Sequence, residues 1–127
     1  MSYTILIVDD SKLARMAVNK ALVGLHPDWT RVEAGNAADA LQAVRSQSPD
    51  VALLDFNMPG RNGLDLAAEI RQLNPRMAVA VISANHQQEV VKRARDIGAG
   101  FLAKPLTQSA LGQYLDRALE DLKKDSA

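Results

Sequence analysis

The stretch "ILIVDDSKLAR", residues 5–15, joins a predicted strand to a predicted helix through two adjacent aspartates. Four branched apolar residues, Ile5–Val8, predict a buried strand, and the apolar spacing over Lys12–Leu25 predicts an amphipathic helix. Asp9 and Asp10 stand at the junction, where each carboxylate raises the free-energy cost of ionising the other. Their placement therefore needs a chemical reason.

The alternation of strand and helix continues along the whole chain. Four more strand-length segments follow, and a helical apolar face follows each of them. Asn36 is the predicted cap of the second helix. This (βα)5 order predicts an α/β fold, a doubly wound five-stranded parallel sheet with helices on both faces, in which the more polar second strand lies at an edge. The later strands are Arg31–Ala34, Val51–Leu54, Ala78–Ile82 and Gly100–Ala103.

Charged and hydroxyl side chains follow four of the five strands. Right-handed crossovers bring the carboxyl ends of parallel strands to one edge, where doubly wound sheets bind ligands. In the flavodoxin-like order 2-1-3-4-5, the third strand lies beside the first and the fifth lies about 10 Å from the third. A lysine can cross that distance, so we expect a combined cation and anion site there. The residues are Asp9 and Asp10, Asp55, Ser83 and Lys104.

Each of these residues also has an ordinary structural explanation. A single Asp before a helix is more often a cap, and a Ser or Lys after a strand is more often a turn or surface residue. Two carboxylates are harder to explain in that way, because Ser11 is available as the cap. Asp55 adds a third carboxylate at the end of an apolar strand, where it needs a partner. Together they favour a hard divalent ion such as Mg²⁺.

Composition limits the possible classes of protein. A length of 127 residues suits a single domain, 1–127, with a polar tail at 123–127 that we expect to fray. Fifteen basic and fifteen acidic residues leave no net field to attract nucleic acid or a membrane. The chain has no cysteine, and its longest apolar run, Met77–Ile82, is too short to span a bilayer. We therefore expect a soluble cytoplasmic protein.

The motifs together resemble the receiver domain of two-component response regulators over essentially the whole chain. The matching motifs are the aspartate pair, D-x-x-M-P-x-x-x-G from Asp55 to Gly63, "SA" at 83–84 and "KP" at 104–105. The resemblance implies that Asp55 accepts a phosphoryl group from a histidine kinase or a histidine phosphotransfer protein. It also implies that Asp10, Asp55 and the backbone carbonyl of Asn57 bind Mg²⁺, with Asp9 assisting.

The same resemblance assigns roles to residues on the last two strands. It implies that Ser83 binds the phosphoryl group, that Lys104 pairs with it and that Phe101 is the aromatic switch residue. It further implies a cis Lys104–Pro105 bond, and an output protein that binds the surface of the fourth helix, fifth strand and fifth helix. Such a phosphoprotein is not an enzyme in the usual sense, because it catalyses only its own phosphorylation and dephosphorylation.

Two departures from common receivers narrow the subtype. Phe101 lacks the hydroxyl often found at the switch position, and "GAGFLAKPL" lacks the acidic pair that winged-helix regulators commonly carry before the aromatic residue. We therefore expect a single-domain regulator, as in chemotaxis or phosphorelays. The alternative is the receiver half of a larger regulator.

Three other functions are weaker alternatives. A phosphatase of the haloacid dehalogenase class would carry an acid two residues after its nucleophile, where Asn57 cannot titrate. A flavodoxin-like carrier would cradle phosphate in its first loop, but the two carboxylates of "VDDSK" repel phosphate. A degenerate receiver that acts only as a scaffold would not need so complete a set of site residues.

Overall fold

The computed structural model describes residues 2–84 and 88–125, which form a five-stranded parallel sheet in the order β2-β1-β3-β4-β5. The predicted fold class and strand order are confirmed, and the polar second strand lies at an edge. No helix in these residues is long and apolar enough to cross a membrane. The elements are β1 Thr4–Val8, α1 Lys12–Leu25, β2 Thr30–Ala34, α2 Ala37–Gln47, β3 Val51–Asp55, α3 Gly63–Leu73, β4 Ala78–Ser83, α4 Gln88–Asp96, β5 Gly100–Ala103 and α5 Gln108–Asp125.

Element boundaries differ from the predicted ones by a residue or two in several places. β1 and β2 each begin one residue earlier, because Thr4 and Thr30 extend the ladder between them. The structure follows α5 as a helix to Asp125, three residues into the stretch 123–127 that we expected to fray. Residues 126 and 127 lie outside the described residues.

Two separate hydrophobic cores lie on the two faces of the sheet. Successive residues of a strand point to opposite faces, so each buried strand contributes to both cores. On β3, for example, Leu54 packs with α2, α3 and α4, whereas Leu53 packs with α1 and α5. The central strands are therefore apolar at nearly every position, which is the pattern that predicted a doubly covered sheet.

Side-chain caps begin the first three helices. Ser11, Asn36 and Asn62 each accept a hydrogen bond from the backbone N–H three residues later. The predicted Asn36 cap is thus confirmed. Because Ser11 caps α1, neither carboxylate of the aspartate pair is needed for that purpose.

Gly63 allows α3 to begin directly against the end of β3. A Cβ atom at this position would lie 2.5 Å from the backbone oxygen of Asp55, well inside van der Waals contact. The Gly63 N–H also donates to the carbonyl of Phe56 at 2.9 Å. Only glycine permits this approach, which fixes the backbone that carries the Asp55 side chain.

Trp29, the only tryptophan, packs at the edge of the sheet where the strands begin. Its ring is stacked on His26, with centroids 4.2 Å apart, and tilted against Tyr3 at 5.3 Å. The side chain is buried, as expected for a packing residue. It lies before β2, at the opposite end of the sheet from Asp55.

Candidate functional site

Three carboxylates converge at the carboxyl ends of β1 and β3. Asp9, Asp10 and Asp55 each place one oxygen within 4.8 Å of the other two. The sheet register explains this, since Val8 pairs with Leu54 and an aspartate follows each of these two residues in the sequence. Asp9 and Asp55 are only 7% and 3% exposed, whereas Asp10 faces solvent. The predicted acidic cluster is therefore present.

Lys104 reaches this cluster from β5, across the intervening strand β4. Its Nζ lies 2.8 Å from Asp55 Oδ1 and 3.9 Å from Asp9 Oδ2. Burial alone would lower the pKa of Lys104, but the hydrogen bond and charge of Asp55, with Asp9 and Asp10, outweigh it and raise that pKa. The lysine therefore stays charged. The peptide bond that follows it, Lys104–Pro105, is cis, as the family resemblance implied.

The cluster keeps an excess of negative charge. Three carboxylates and one ammonium sum to −2, so Lys104 neutralises only part of the repulsion. Burial raises the pKa of the Asp9 carboxyl; the neighbouring Asp55 and Asp10 add to this, while the Ser11 N–H and Lys104 oppose it. An ionised Asp9 is thus held at a free-energy cost, which a bound cation would offset.

The donor atoms of this cluster fit a magnesium ion. Mg²⁺ prefers carboxylate and carbonyl oxygens at about 2.1 Å, so two of its ligands can stand at most about 4.2 Å apart. The carboxylate oxygens lie within 4.8 Å of one another, so a small contraction would bring them to that spacing. The charge of −2 also matches a divalent ion.

The remaining predicted site residues lie near the cluster and differ in burial. Ser83 ends β4, next to Asp55 on β3, and its side chain is fully buried. Phe101 lies on β5 opposite Val81, with its side chain partly buried against the core under α4. Asn57 is exposed in the loop between β3 and α3, and the role of its carbonyl as a ligand stays a prediction.

Arg15 is a component of the site that the sequence did not reveal. Its guanidinium donates from Nη1 to the backbone oxygen of Asp9 and from Nε to Glu33 Oε1 at 2.9 Å. Asn19 donates to the second oxygen of Glu33 at 3.0 Å. The available signals were an arginine one turn into α1 and an acid in an edge strand, and neither is unusual alone.

An apolar groove adjoins the carboxylates on the side of α1. Its volume is about 490 Å³, and small residues of α1, such as Ala14 and Ala17, form one wall. Lys104, Leu106 and the site carboxylate Asp9 also line it. A molecule that reacts with the cluster can therefore approach between α1 and the loop after β5.

Comparisons with known proteins agree with this geometry. The family model of the response regulator receiver domain matches residues 5–116. The nitrate/nitrite response regulator protein NarL of Escherichia coli is 37% identical over 118 residues, which are 91% of this chain and 54% of that protein. The chain thus spans about half the length of this relative.

Solved structures show the same fold. The signal receiver domain of the putative response regulator NarL from Mycobacterium tuberculosis is 36% identical, with a TM-score of 0.82 over 93% of this chain and 97% of that one. A receiver domain protein from Methanospirillum hungatei superposes with a TM-score of 0.89 over 98% of this chain and 99% of that one. That second protein is 21% identical, so it supports the fold alone.

Proposed function

This chain belongs to the response regulator receiver domains of phosphorelay signalling, and from that premise we propose that Asp55 is its phosphoryl acceptor. The observation that carries the proposal is the buried Asp55 carboxylate, 2.8 Å from Lys104 Nζ, with one oxygen of each of two further aspartates within 4.8 Å. The donor is a histidine kinase or a histidine phosphotransfer protein.

Phosphoryl transfer needs positioning and charge neutralisation more than covalent assistance. An oxygen of Asp55 attacks phosphorus as the bond from phosphorus to the histidine nitrogen of the donor breaks. Lys104 then exchanges its hydrogen bond with the free carboxylate for one with the transferred group. Ser83, on the adjacent strand, donates its hydroxyl to another phosphoryl oxygen.

Asp9, Asp10 and Asp55, with the Asn57 carbonyl, would hold Mg²⁺. When bound, the ion supplies positive charge against the phosphoryl oxygens and lowers the repulsion among the carboxylates. The chain's own contribution is to fix these oxygens on two adjacent strands before the donor arrives, so little reorganisation is needed during transfer.

The donor reaches Asp55 along the groove beside α1. Two large apolar side chains at the start of that helix, Leu13 and Met16, are 78% and 55% exposed. Exposed apolar groups beside a reactive site favour contact with a protein partner. We therefore place the kinase or phosphotransfer protein on this side, in the cytoplasm, where a chain without cysteine loses nothing to reducing conditions.

The output signal leaves through Phe101. Movement of Ser83 toward the phosphoryl group vacates space behind β4, and the Phe101 ring turns inward to fill it. Full burial of such a ring is worth roughly 1.5–3 kcal/mol. Phe101 is already mostly buried, so at most about 1 kcal/mol remains, which shifts a two-state equilibrium by no more than about fivefold. The α4-β5-α5 surface then binds the output protein.

Treatment with acetyl phosphate and Mg²⁺ tests the acceptor. Intact-mass analysis should show one phosphoryl addition, which is lost in Asp55→Asn and in metal-free buffer. An unmodified wild-type mass, under conditions that label a control receiver, would refute the assignment.

A separate variant tests the switch. Phe101→Ala should still accept phosphate at Asp55 but lose most of the phosphorylation dependence of partner binding. Undiminished dependence in this variant would exclude the aromatic route and leave the acceptor assignment intact.

A further inference from the structure

A basic groove lies at the end of the sheet opposite the carboxylates. Its volume is about 620 Å³, and it runs along the start of β5 between the ends of α3 and α4 and the last turns of α5. Five cations and one acid line it, a net charge of +4 in a chain whose fifteen basic and fifteen acidic residues balance. The cations are Arg71, Arg76, Arg95, Arg117 and Lys124, and the acid is Asp121.

These cations are not consumed by ion pairs within the part of the chain that the structure describes. The salt bridges recorded there involve Arg15, Arg61 and Lys104, none of which lines the groove. Arg71 Nη1 donates to the carbonyls of Pro75 and Met77, both at 2.9 Å, which holds the guanidinium across the end of the groove. The groove therefore presents positive charge to an external ligand.

The floor of the groove is the open edge of the sheet. In the described residues β5 pairs only with β4, and the consecutive residues 98–102 all line the cavity. An edge strand can accept one more extended strand through backbone hydrogen bonds. The Arg71 guanidinium and the Tyr114 ring cover Gly98 and Gly100, at 3.0 and 2.6 Å from where a Cβ atom would lie, so an added strand would approach β5 in the plane of the sheet. Ala118 offers an apolar contact for a side chain of the incoming strand.

We propose that this groove binds an extended acidic segment of a partner protein, which adds as a sixth strand beside β5. A small anion would use only two or three of the cations, which are spread over three helices and the loop before β4, and would leave the strand edge unused. A segment that runs along β5 contacts Arg95 of α4 on one side and Arg117 and Lys124 of α5 on the other. The groove lies on the α4-β5-α5 surface. The proposal therefore rests on the proposed output surface and adds the kind of segment that binds there, and it can be tested without the acceptor Asp55.

The test is an NMR titration of the ¹⁵N-labelled full chain with a peptide of about eight alternating Glu and Val residues. We expect the amides of residues 98–102 to shift downfield, and the affinity to fall by about tenfold when salt rises from about 50 to about 300 mM. A peptide with Gln in place of Glu should bind at least about tenfold more weakly, as electrostatic complementarity requires. Asp55→Asn should bind as the wild type does.

Paired charge reversals identify the surface. Arg95→Glu with Arg117→Glu should weaken binding of the acidic peptide at least about tenfold. The control, Arg31→Glu with Arg45→Glu, reverses two exposed cations outside the groove and should leave the affinity unchanged. Equal weakening by the control, shifts scattered away from β5, or no binding at all would overturn the proposal. Saturable binding of inorganic tripolyphosphate without binding of the peptide would also overturn it, in favour of a small-anion site.

A second, independent observation concerns Arg15. The backbone of Asp9 is held on both sides: its N–H donates to the Ala34 carbonyl at 3.1 Å, and its oxygen accepts from Arg15. Glu33, on the edge strand β2, orients the guanidinium, and the Arg15 side chain is only 18% exposed. This chain of contacts ties the turn that carries the aspartate pair to both α1 and β2.

From these contacts we infer that Arg15 is a positioning residue for the metal-binding carboxylates and that Glu33 acts through it. The inference rests on the proposed metal site. Arginine suits the role, because its planar fork reaches two acceptors at once, which a lysine ammonium cannot do with the same geometry. Outer groups of this kind typically change metal affinity by about 10–100-fold when removed.

Mn²⁺ binding, measured by electron paramagnetic resonance, tests this role without phosphorylation. Arg15→Met should weaken Mn²⁺ affinity by about 10-fold or more, and Glu33→Gln by about threefold, because glutamine keeps an acceptor but loses the charge. Arg45→Met, an exposed arginine on α2, is the control and should bind as the wild type does.

The outcomes separate this inference from the proposed function. If the wild type does not bind Mn²⁺, the metal site itself is refuted. If the wild type binds Mn²⁺ and both variants bind it as tightly as the wild type does, the positioning role is overturned. Circular dichroism in metal-free buffer checks that the variants fold. If Arg15→Met does not fold, the Mn²⁺ affinity of Glu33→Gln decides whether the positioning role holds.

Discussion

Removal of the Asp9 charge should stabilise the metal-free protein. The repulsion between Asp9 and Asp55, at no more than 4.8 Å, amounts to about 3.5 kcal/mol at an effective dielectric constant of about 20. The attraction between Asp9 and Lys104, at 3.9 Å, amounts to about 4 kcal/mol on the same scale. These two nearly cancel, so the cost of burying a carboxylate that is 7% exposed decides the sign.

Asp9→Asn avoids that cost and keeps an oxygen that can accept the Ser11 N–H, a bond of 2.9 Å in the wild type. We expect the variant to be more stable by about 1–2 kcal/mol at pH 7 in chelator. For a domain of 127 residues this corresponds to a rise in Tm of about 4–8 °C. Thermal unfolding followed by circular dichroism measures it.

The contribution of Asp9 to stability depends on pH with a defined sign. Because folding raises the pKa of Asp9, the folded wild type binds the proton more readily than the unfolded chain does. Its stability therefore falls as pH rises from the ordinary Asp value, about 3.9, through the raised pKa. The advantage of Asp9→Asn should be full above this window and absent below it.

Magnesium should reduce the difference in stability between Asp9→Asn and the wild type. At a free concentration of about ten times its Kd, the ion stabilises the wild type by about 1.4 kcal/mol, and the variant less, because one charge of the site is gone. If Asp9→Asn is instead less stable than the wild type by 1 kcal/mol or so in chelator, the attraction of Lys104 outweighs desolvation. The idea of a strained acidic cluster would then be wrong.

Three further predictions concern other parts of the molecule. Trp29 lies at the far end of the sheet, so Mg²⁺ should hardly change tryptophan fluorescence; strong saturable quenching, absent in Asp10→Ala, would contradict the placement. Gly63→Ala should lower the free energy of unfolding by about 2 kcal/mol or more, since the new methyl group meets the Asp55 carbonyl; urea denaturation with an unchanged midpoint would contradict this. Lys104→Met should slow phosphorylation by acetyl phosphate roughly 100-fold, because a cation that stabilises the transferred group is lost. Its Mn²⁺ affinity should stay equal or rise, because a cation that repels the metal leaves the cluster; a loss of Mn²⁺ affinity would indicate disrupted folding instead.

The sequence predicted the sheet and the acidic cluster because both follow from backbone periodicity. Once the strands are parallel, their carboxyl ends must meet, and the residue after each strand is fixed by its position in the chain. Lys104 could be included because its length matches the distance between two strands. These inferences need no knowledge of any particular side-chain conformation.

The contacts of Arg15 and the basic groove could not be predicted in the same way. Arg15 meets Glu33 across eighteen positions of sequence, and the contact depends on how α1 is rotated against β2. The groove gathers cations from α3, α4 and α5 that share no periodicity. Similarly, the partial burial of the Phe101 side chain depends on the packing of α4, and it lowers the free energy that the ring can still gain by turning inward.

The two cores described above have a consequence for how this protein can evolve. The helix that borders the donor groove, α1, packs on one core, and α4, which borders the switch, packs on the other. Substitutions in α1 that retune recognition of a kinase can therefore accumulate without disturbing the core on which α4 packs. Only the strands belong to both neighbourhoods, so we expect duplicated copies of such a chain to diverge in their helices and to retain their strands.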